Sequence, residues 1–279
     1  MKKTYYLMLF ALISGCATSA QEQGSTNLLG PSENGTNNQY IAAVAWKQTA
    51  AEYRALYYQG YSLAKKQVQK AITNRKAGDR PLAVVTDLDD TVLLPLRYWG
   101  TLVKQRKDFF DDNIWDEWIP ENQMVLAPGA ADFFKFCQEN QIEVFYVTSR
   151  NQGEKTYDYA MQHIKLAKLP NADTDHLTVL RETSNKQKPQ SKIAETHDII
   201  VFLGDNLNDF SRKFYTKDVD ERLAKMEEEK DQYGNRYIVF PNPTDGHWIK
   251  AIFGDSEPPA NDKNREIFMK AASRLSWDK

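Results

Sequence analysis

Three short apolar runs, with helix-like patterns between them, constrain the fold of this chain more than any other feature. They occupy residues 82–86, 144–147 and 199–203 and show no alternation of polar and apolar side chains. Such runs are typical of strands that are buried on both faces, as in a parallel sheet covered by helices. We therefore predict an α/β fold with a doubly wound, mostly parallel sheet.

The rest of the chain fits this layout. The stretch 94–125 is rich in aromatic residues and has no regular period, so we expect it to be irregular. Shorter strands are predicted at 177–180 and 237–240, and helices at about 48–76, 129–140, 153–168, 189–196, 218–231 and 261–275.

Two aspartates directly follow the first apolar run. Asp87 and Asp89 lie two positions apart at the end of an extended segment, so both carboxylates can face one site. Thr91 completes the pattern D-x-D-x-T. Taken alone, this pattern fits a solvated acidic turn as well as a catalytic edge, so the other strand ends must decide between them.

The other two apolar runs also end in polar residues that suit one site. The second leads into Thr148, and the third ends at Gly204 and is followed by Asp205 and Asp209. Ligands of open α/β sheets bind at the carboxyl ends of the strands, where these residues and Asp87 would meet. Phosphoryl transfer needs a nucleophile, a cation, fixed positive groups and a proton donor, and this set offers side chains for that chemistry.

In their order, these motifs resemble those of the haloacid-dehalogenase superfamily: D-x-D-x-T, a threonine after a strand, a lysine, and G-D-x-x-x-D. The resemblance implies a haloacid-dehalogenase-like core and phosphoryl transfer through an aspartyl-phosphate. The implied roles are Asp87 as nucleophile, Asp89 as general acid and base, Thr148 and Lys186 as phosphate ligands, and Asp87, Asp205 and the Asp89 carbonyl as Mg²⁺ ligands, with Asp209 supporting the ion through water.

The lysine assignment stays open between two positions. Lys186, Lys188 and Lys192 share one window, and most lysines are solvated. The family pattern, counted back from Gly204, favours Lys186, with Lys188 as the alternative. Asp90 is expected to be structural and to orient its loop.

A narrower resemblance covers nearly the whole chain beyond its N-terminal segment. The segments that carry it are 46–61, 87–93, 145–150, 204–210 and 240–243, and they look like those of class C bacterial acid phosphatases, the lipoprotein e family. The resemblance implies a broad-range, metal-dependent phosphomonoesterase of the cell envelope, of a kind often active on nucleoside monophosphates. It also implies a small, mainly helical cap built from about 40–78, 94–125 and part of 211–236.

Two positions bear on the substrate. Trp115 matches a family position where an aromatic ring stacks on the substrate base, and packing within the cap is the alternative. Asp245 precedes Gly246-His247-Trp248, where the family often has a tyrosine that completes an aromatic clamp. An anionic side chain there weakens the case for base stacking, so nucleotide preference stays open.

The N-terminus resembles that of an exported lipoprotein. Two lysines precede a short apolar run, and residues 13–16 resemble a lipobox, in which Cys16 would be lipidated. An ordinary cleaved signal is the alternative. Anchoring at the cell envelope, in the outer membrane of a Gram-negative bacterium, is the expected location. The predicted divisions are a lipoprotein signal peptide at 1–15, a lipid-anchored flexible tether at 16–39 and the phosphatase domain at 40–279.

Charge and cysteine content argue against other classes. The formal net charge is −2 with a pI near 6.1, and no basic stripe is interleaved with aromatic residues. Binding to a nucleic-acid polymer is therefore not expected. With Cys16 lipidated, Cys137 has no partner for an intrachain disulfide, and its apolar context predicts a buried structural thiol. The sequence does not predict the oligomeric state.

Two further functions are compatible with these motifs. A phosphotransferase of the same fold would pass the phosphoryl group from Asp87 to an alcohol instead of water. A non-catalytic, surface-binding lipoprotein would keep the acidic residues only as an ion site. The second is disfavoured because such a protein has no chemical reason to keep Asp87 and Asp89 together.

Overall fold

A computed structural model describes residues 40–151 and 153–275. The predicted signal peptide, Cys16 and the predicted tether lie outside these residues. Within them, no helix combines the length and the apolar character needed to cross a lipid bilayer.

Seven strands and ten α-helices make up the described part of the chain. The strands are β1 (Leu82–Thr86), β2 (Leu93–Leu94), β3 (Val125–Leu126), β4 (Glu143–Ser149), β5 (Leu177–Leu180), β6 (Asp198–Gly204) and β7 (Tyr237–Val239). The helices are α1 (Ile41–Thr49), α2 (Ala51–Asn74), α3 (Leu96–Lys104), α4 (Asp112–Trp118), α5 (Ala130–Glu139), α6 (Thr156–Leu166), α7 (Gln187–Thr196), α8 (Val219–Glu228), α9 (His247–Phe253) and α10 (Asp262–Ala272).

Five strands form one parallel sheet in the order β5-β4-β1-β6-β7. β1 is central and buried over its whole length, with β4 on one side and β6 on the other. Because the strands are parallel, the carboxyl ends of β1, β4 and β6 meet at one edge of the sheet. The predicted doubly wound, parallel sheet is confirmed.

Helices cover both faces of the sheet. Leu82 and Val84 of β1 point into a core built with α2, α5 and α6, whereas Ala83 and Val85 point into the opposite core with α7. Alternate side chains of a strand face opposite sides, so an uninterrupted apolar strand fills both cores at once. This explains the absence of polar alternation in β1.

The aromatic stretch 94–125 is more regular than its sequence suggests, because it contains α3 and α4. Helices of nine and seven residues are too short to be stable alone, so tertiary packing stabilises them. The packing is an aromatic cluster that α1, α3 and α4 share, with Tyr40, Tyr98, Trp99, Trp115 and Trp118 as its largest buried members.

The N-terminal helical region also differs from the prediction. A single helix was expected over 48–76, but the chain breaks at Ala50, whose extended backbone separates α1 from α2. α9, at His247–Phe253, was not predicted at all. The break at Ala50 turns α1 toward the carboxyl edge of the sheet, as the contacts of Lys47 show below.

Cys137 is buried in α5 and is a free thiol. Burial raises its pKa to about 12, so the thiol stays protonated and unreactive. Its predicted structural role agrees with this environment.

Candidate active site

A cavity of about 220 Å³ opens at the carboxyl edge of the sheet. The ends of β1, β4 and β6, the segment before α7 and the loop between β7 and α9 contribute to its wall. Aspartates dominate the floor, and aromatic rings from the cap form one side. The residues discussed below that line the cavity are Asp87, Asp89, Asp90, Trp99, Phe110, Trp115, Thr148, Arg150, Lys186, Asp205, Asp209, Asn242 and Asp245.

Lys186 lies at the centre of the floor. Its Nζ donates to Asp87 Oδ1 at 2.5 Å and lies 2.7 Å from Asp209 Oδ1. The side chain is buried, because it lies at the start of α7 beneath the cavity, whereas Lys188 is exposed. Burial lowers the pKa of Lys186, but Asp209 and Asp87 outweigh that effect and raise it, so the lysine stays charged.

Three carboxylates converge around this lysine. One oxygen from each of Asp87, Asp205 and Asp209 lies within 4.8 Å of the others. Asp205 also accepts from Asn242 Nδ2 at 2.7 Å and from Thr91 Oγ1 at 3.4 Å. Asp87 and Asp205 come from adjacent parallel strands, so the sheet itself sets their separation.

The turn after β6 holds Asp209 in place. Its Oδ2 accepts from the backbone N–H of Asn206, and the Asn206 side chain in turn caps the short 3₁₀ turn Leu207–Asp209. Gly204 is required at the end of β6, because a Cβ there would overlap the Asp209 side chain. This explains the local pattern G-D-x-x-x-D in physical terms.

Burial and mutual repulsion change how these carboxyl groups ionise. Burial raises the pKa of Asp87, Lys186 opposes that rise, and Asp209 and Asp89 add to it. Burial and the neighbouring Asp209 and Asp87 also raise the pKa of Asp205 well above its usual value. One lysine does not offset three clustered carboxylates, so the site favours an additional cation.

An all-oxygen donor set of this kind fits Mg²⁺. Hard divalent cations prefer carboxylate, carbonyl and water oxygens. Asp87 and Asp205 present carboxylate oxygens close enough for one ion to contact both. Asp209 has both oxygens engaged, one by Lys186 and one by the Asn206 N–H, which suits a supporting position.

Asp89 lies apart from this cluster and is held by Arg150. The guanidinium donates through Nε to Asp89 Oδ2 and through Nη2 to Asp89 Oδ1, both at 2.7 Å. Arg150 is only 1% exposed, whereas the Asp89 side chain is 23% exposed and lines the cavity. Arg150 was not among the predicted site residues, although it ends the family-like segment 145–150.

Thr148 lies at the end of β4 and lines the same cavity. Its side chain is buried, with 1% of the residue exposed. It therefore lies at the edge where β1 delivers Asp87, as its position after the second apolar run predicts.

Asp90 links the loop after β1 to the cap. Its backbone is left-handed, with φ at 53°, and its carboxylate accepts from Lys47 Nζ at 2.7 Å and from Trp99 Nε1 at 3.1 Å. Asn242 Nδ2 lies 3.3 Å from the same carboxylate and also donates to Asp205. The expectation that Asp90 orients its loop agrees with these contacts.

Lys47 is the least expected member of the site. It extends from α1, is 2% exposed, and donates to Asp90 Oδ1 and to Thr244 Oγ1 at 2.8 Å. No local pattern marks it, because a lysine among polar and apolar helix residues normally reaches solvent. Only the packing of α1 against α3 brings its ammonium next to Asp90.

The aromatic side of the cavity comes from the cap. Trp115 lines the cavity but is only 3% exposed, and its ring packs against Tyr98 and Phe110, with centroids 5.0 and 5.3 Å away. The Arg150 guanidinium lies 5.8 Å from the Trp115 ring centroid. Trp115 thus packs within the cap and also contacts Arg150, which binds Asp89.

Asp245 lines the cavity from the loop before α9. Its Oδ1 accepts from the backbone N–H of Gly246 at 2.7 Å. Protein surrounds Asp245 although water can reach it through the cavity, and this burial raises its pKa to about 6. At mildly acidic pH the group is partly neutral and can both donate and accept hydrogen bonds.

A family model described as HAD superfamily, subfamily IIIB (acid phosphatase) matches residues 15–248 of the chain. This match covers most of the sequence and includes each of the four motifs at the carboxyl edge of the sheet.

Solved structures agree with the family model. The class C acid phosphatase from Bacillus anthracis, solved alone and with tungstate bound, is 29% identical to this chain with a TM-score of 0.77 in each case. Each match covers 86% of this chain and 98% of the other. The chain therefore belongs to the subfamily IIIB acid phosphatases of the HAD superfamily and is a phosphomonoesterase similar to the class C enzymes.

Proposed function

We propose that this acid phosphatase hydrolyses small phosphate monoesters through an aspartyl-phosphate on Asp87, with Mg²⁺ as its cofactor. The observation that carries the proposal is the contact of Asp87 with Lys186 inside a cluster of three carboxylates. A nucleophile, a fixed positive charge and donors for a divalent cation lie together there. Phosphate monoesters need all three, because their uncatalysed hydrolysis is extremely slow.

In the first step, a carboxylate oxygen of Asp87 attacks phosphorus while the ester P–O bond breaks. Thr148 and Lys186 hold the phosphoryl oxygens, and Asp89 gives a proton to the departing alkoxide oxygen. In the second step, Asp89 takes a proton from water, and the water oxygen attacks the aspartyl-phosphate to release phosphate. Burial of the floor excludes bulk water, which strengthens each of these electrostatic contacts.

The Mg²⁺ assignment rests on the donor set. The side chains of Asp87 and Asp205 and the backbone carbonyl of Asp89 would hold the ion, with Asp209 supporting it through water. When bound, the ion supplies positive charge that favours ionised Asp87 and stabilises charge on the phosphoryl group.

The substrate belongs to the small phosphate monoesters, and nucleoside monophosphates are candidates within that class. A 220 Å³ cavity admits the phosphate and a compact alcohol. Trp115 and Phe110 offer ring surface for a base, whereas Asp245 offers hydrogen bonds to hydroxyl groups. The tungstate bound by the Bacillus anthracis enzyme is a tetrahedral oxyanion, as phosphate is.

The proposed location is the cell envelope, with the protein held by lipid on Cys16, in the outer membrane of a Gram-negative bacterium. Support comes from the lipobox-like residues 13–16 and from the polar stretch at 16–39. Radiolabelled palmitate incorporation that is lost in Cys16→Ser would support the anchor, and unchanged incorporation would contradict it.

Phosphate release from p-nitrophenyl phosphate tests the proposed chemistry. We expect activity that EDTA abolishes and Mg²⁺ restores, and that Asp87→Asn removes because the amide is not a nucleophile. Asp132→Asn, an exposed position on α5, is the matched control and should keep wild-type activity. Wild-type protein that releases no phosphate from a panel of aryl, alkyl, sugar and nucleoside monophosphates between pH 4 and 8 would overturn the proposal.

A further inference from the structure

We infer that Arg150 is a positioning residue that aims the general acid Asp89 at the leaving group, and that Trp115 of the cap braces it. The inference rests on the proposed function and extends it to two residues for which the resemblance implies no such role. It begins from the two-pronged contact between the Arg150 guanidinium and both Asp89 oxygens.

The fork geometry fixes the direction of Asp89. Two parallel hydrogen bonds from one guanidinium set the plane of the carboxylate as well as its distance, which a single donor does not do. Asp89 follows Asp87 by two residues, yet its side-chain oxygens are not part of the cluster that Asp87, Asp205 and Asp209 form. Arg150 therefore keeps Asp89 away from the proposed metal ligands and toward the open part of the cavity.

Arg150 is itself rigid. It is 1% exposed, and its backbone N–H donates to Leu180 O at the end of β5, so the residue is fixed to the sheet. Its guanidinium lies over the ring of Trp115, which the cap holds among Tyr98 and Phe110. This contact joins α4 of the cap to the proposed acid through one guanidinium.

Substrates with different leaving groups show whether a residue acts through the general acid Asp89. An alkoxide is strongly basic and needs a proton as it departs, whereas p-nitrophenolate departs without one. The ratio kcat/KM reports the first step, in which the ester bond breaks. A residue that positions Asp89 must therefore affect alkyl phosphates far more than p-nitrophenyl phosphate.

We predict that Arg150→Met lowers kcat/KM for glycerol phosphate on the order of 10²-fold, the typical contribution of general acid catalysis, and leaves p-nitrophenyl phosphate little changed. Arg150→Lys keeps the charge but loses the fork, so it should show the same selective loss to a smaller degree. Adding Arg150→Met to Asp89→Asn should cost little more, because both changes disable one unit.

Lys250→Met is the matched control. Lys250 also lines the cavity and is a cation, so its loss should change both substrates by a similar factor. Equal losses on both substrates in Arg150→Met and Arg150→Lys would overturn the inference and indicate a role in phosphate binding or folding. If wild-type protein hydrolysed neither substrate, the proposed function would fail instead, so the two failures are distinct.

Trp115→Ala distinguishes two roles of Trp115, support of the Arg150 guanidinium and stacking on a substrate base. Glycerol phosphate and nucleoside 5′-monophosphates both release an alkoxide, so loss of the brace lowers both alike relative to p-nitrophenyl phosphate. A loss confined to nucleotides would instead support stacking and contradict the brace. Near-ultraviolet circular dichroism of each variant checks that the aromatic cluster stays packed.

Discussion

At the residue scale, the proposed site depends on charges that are useful only in combination. Asp87, Asp205 and Asp209 would repel one another in a buried floor, and Lys186 offsets part of that repulsion. Asp89 forms an ion pair with a separate cation, Arg150. Each acidic residue therefore has a partner suited to its proposed role.

The two neighbouring lysines 186 and 188 provide a direct comparison. Lys186→Met removes a buried donor to Asp87 and the proposed donor to the phosphoryl group. We therefore expect kcat/KM to fall on the order of 10²–10³-fold, as when an oxyanion donor is removed. Lys188→Met changes an exposed residue two positions away and should leave kcat/KM close to wild type. Steady-state kinetics with p-nitrophenyl phosphate would decide, and comparable losses in the two variants would contradict this assignment.

At the element scale, the strands follow from the sequence more closely than the helices do. β1 and β5 have the predicted bounds, because an apolar run bounded by polar residues marks a buried strand clearly. α3 and α4 were missed because they are short and lie within a stretch crowded with aromatic residues, whose packing stabilises them. Their existence depends on contacts between segments far apart in the chain.

The same reasoning separates the predicted site residues from the missed ones. Asp87, Thr148 and Asp205 follow directly from strand ends, so sequence order and parallel topology bring them together. Lys47 and Arg150 reach the site only through side-chain direction and cap packing. No local pattern encodes side-chain direction or cap packing, and so these two cations were harder to predict than the carboxylates.

The amino ends of the strands carry a histidine–carboxylate cluster with its own pH dependence. His176 contacts Asp173 through Nδ1 at 2.7 Å and Glu143 through Nε2 at 3.1 Å, and His197 Nε2 lies 3.2 Å from Glu143. Burial lowers the pKa of His176, but the two carboxylates outweigh this and raise it. Burial acts to raise the pKa values of Glu143 and Asp173. Hydrogen bonds from His176, and at Glu143 also from His197, outweigh that effect and lower both pKa values.

The directions of these pKa shifts predict that the cluster stabilises the folded protein most at mildly acidic pH. The His176 contribution is complete below its unfolded pKa of about 6.5 and is lost as the pH rises through the folded value. The carboxylate contribution is complete above about pH 4.3 and is lost as the pH falls further. We predict that His176→Gln lowers the free energy of unfolding more at pH 5.5 than at pH 8.

Urea unfolding at the two pH values measures this difference. Because Glu143 and Asp173 are partly exposed, we expect it to stay within about 1 kcal/mol. A destabilisation by His176→Gln that is equal at both pH values would show that the cluster contributes packing and no net charge interaction.

At the scale of the whole molecule, the proposed cation should couple folding to the site. Any ligand that binds only the native state stabilises it, by about 2.7 kcal/mol at one hundred times its Kd. We predict that saturating Mg²⁺ raises Tm by roughly 5–10 °C, the usual scale for a chain of this size. Asp205→Asn should remove most of this rise, because it deletes a proposed ligand.

Differential scanning fluorimetry of wild type, Asp205→Asn and the surface control Asp132→Asn, each with EDTA or Mg²⁺, makes the comparison. An equal Tm rise in wild type and Asp205→Asn would place the cation elsewhere. A rise retained in Asp132→Asn shows that the loss in Asp205→Asn is specific to the site.

The position of Lys47 has a consequence for proteolytic processing of the molecule. α1 is the first described helix, yet the buried ammonium of its Lys47 pairs with Asp90 in the loop after β1. A protease that cut before Tyr40 would leave this ion pair intact. A cut after Thr49 would remove Lys47 and leave Asp90 without its ammonium partner, a change that typically costs about 3–5 kcal/mol for a buried pair. Ten residues of chain, 40–49, therefore separate a cut that keeps this ion pair from a cut that breaks it.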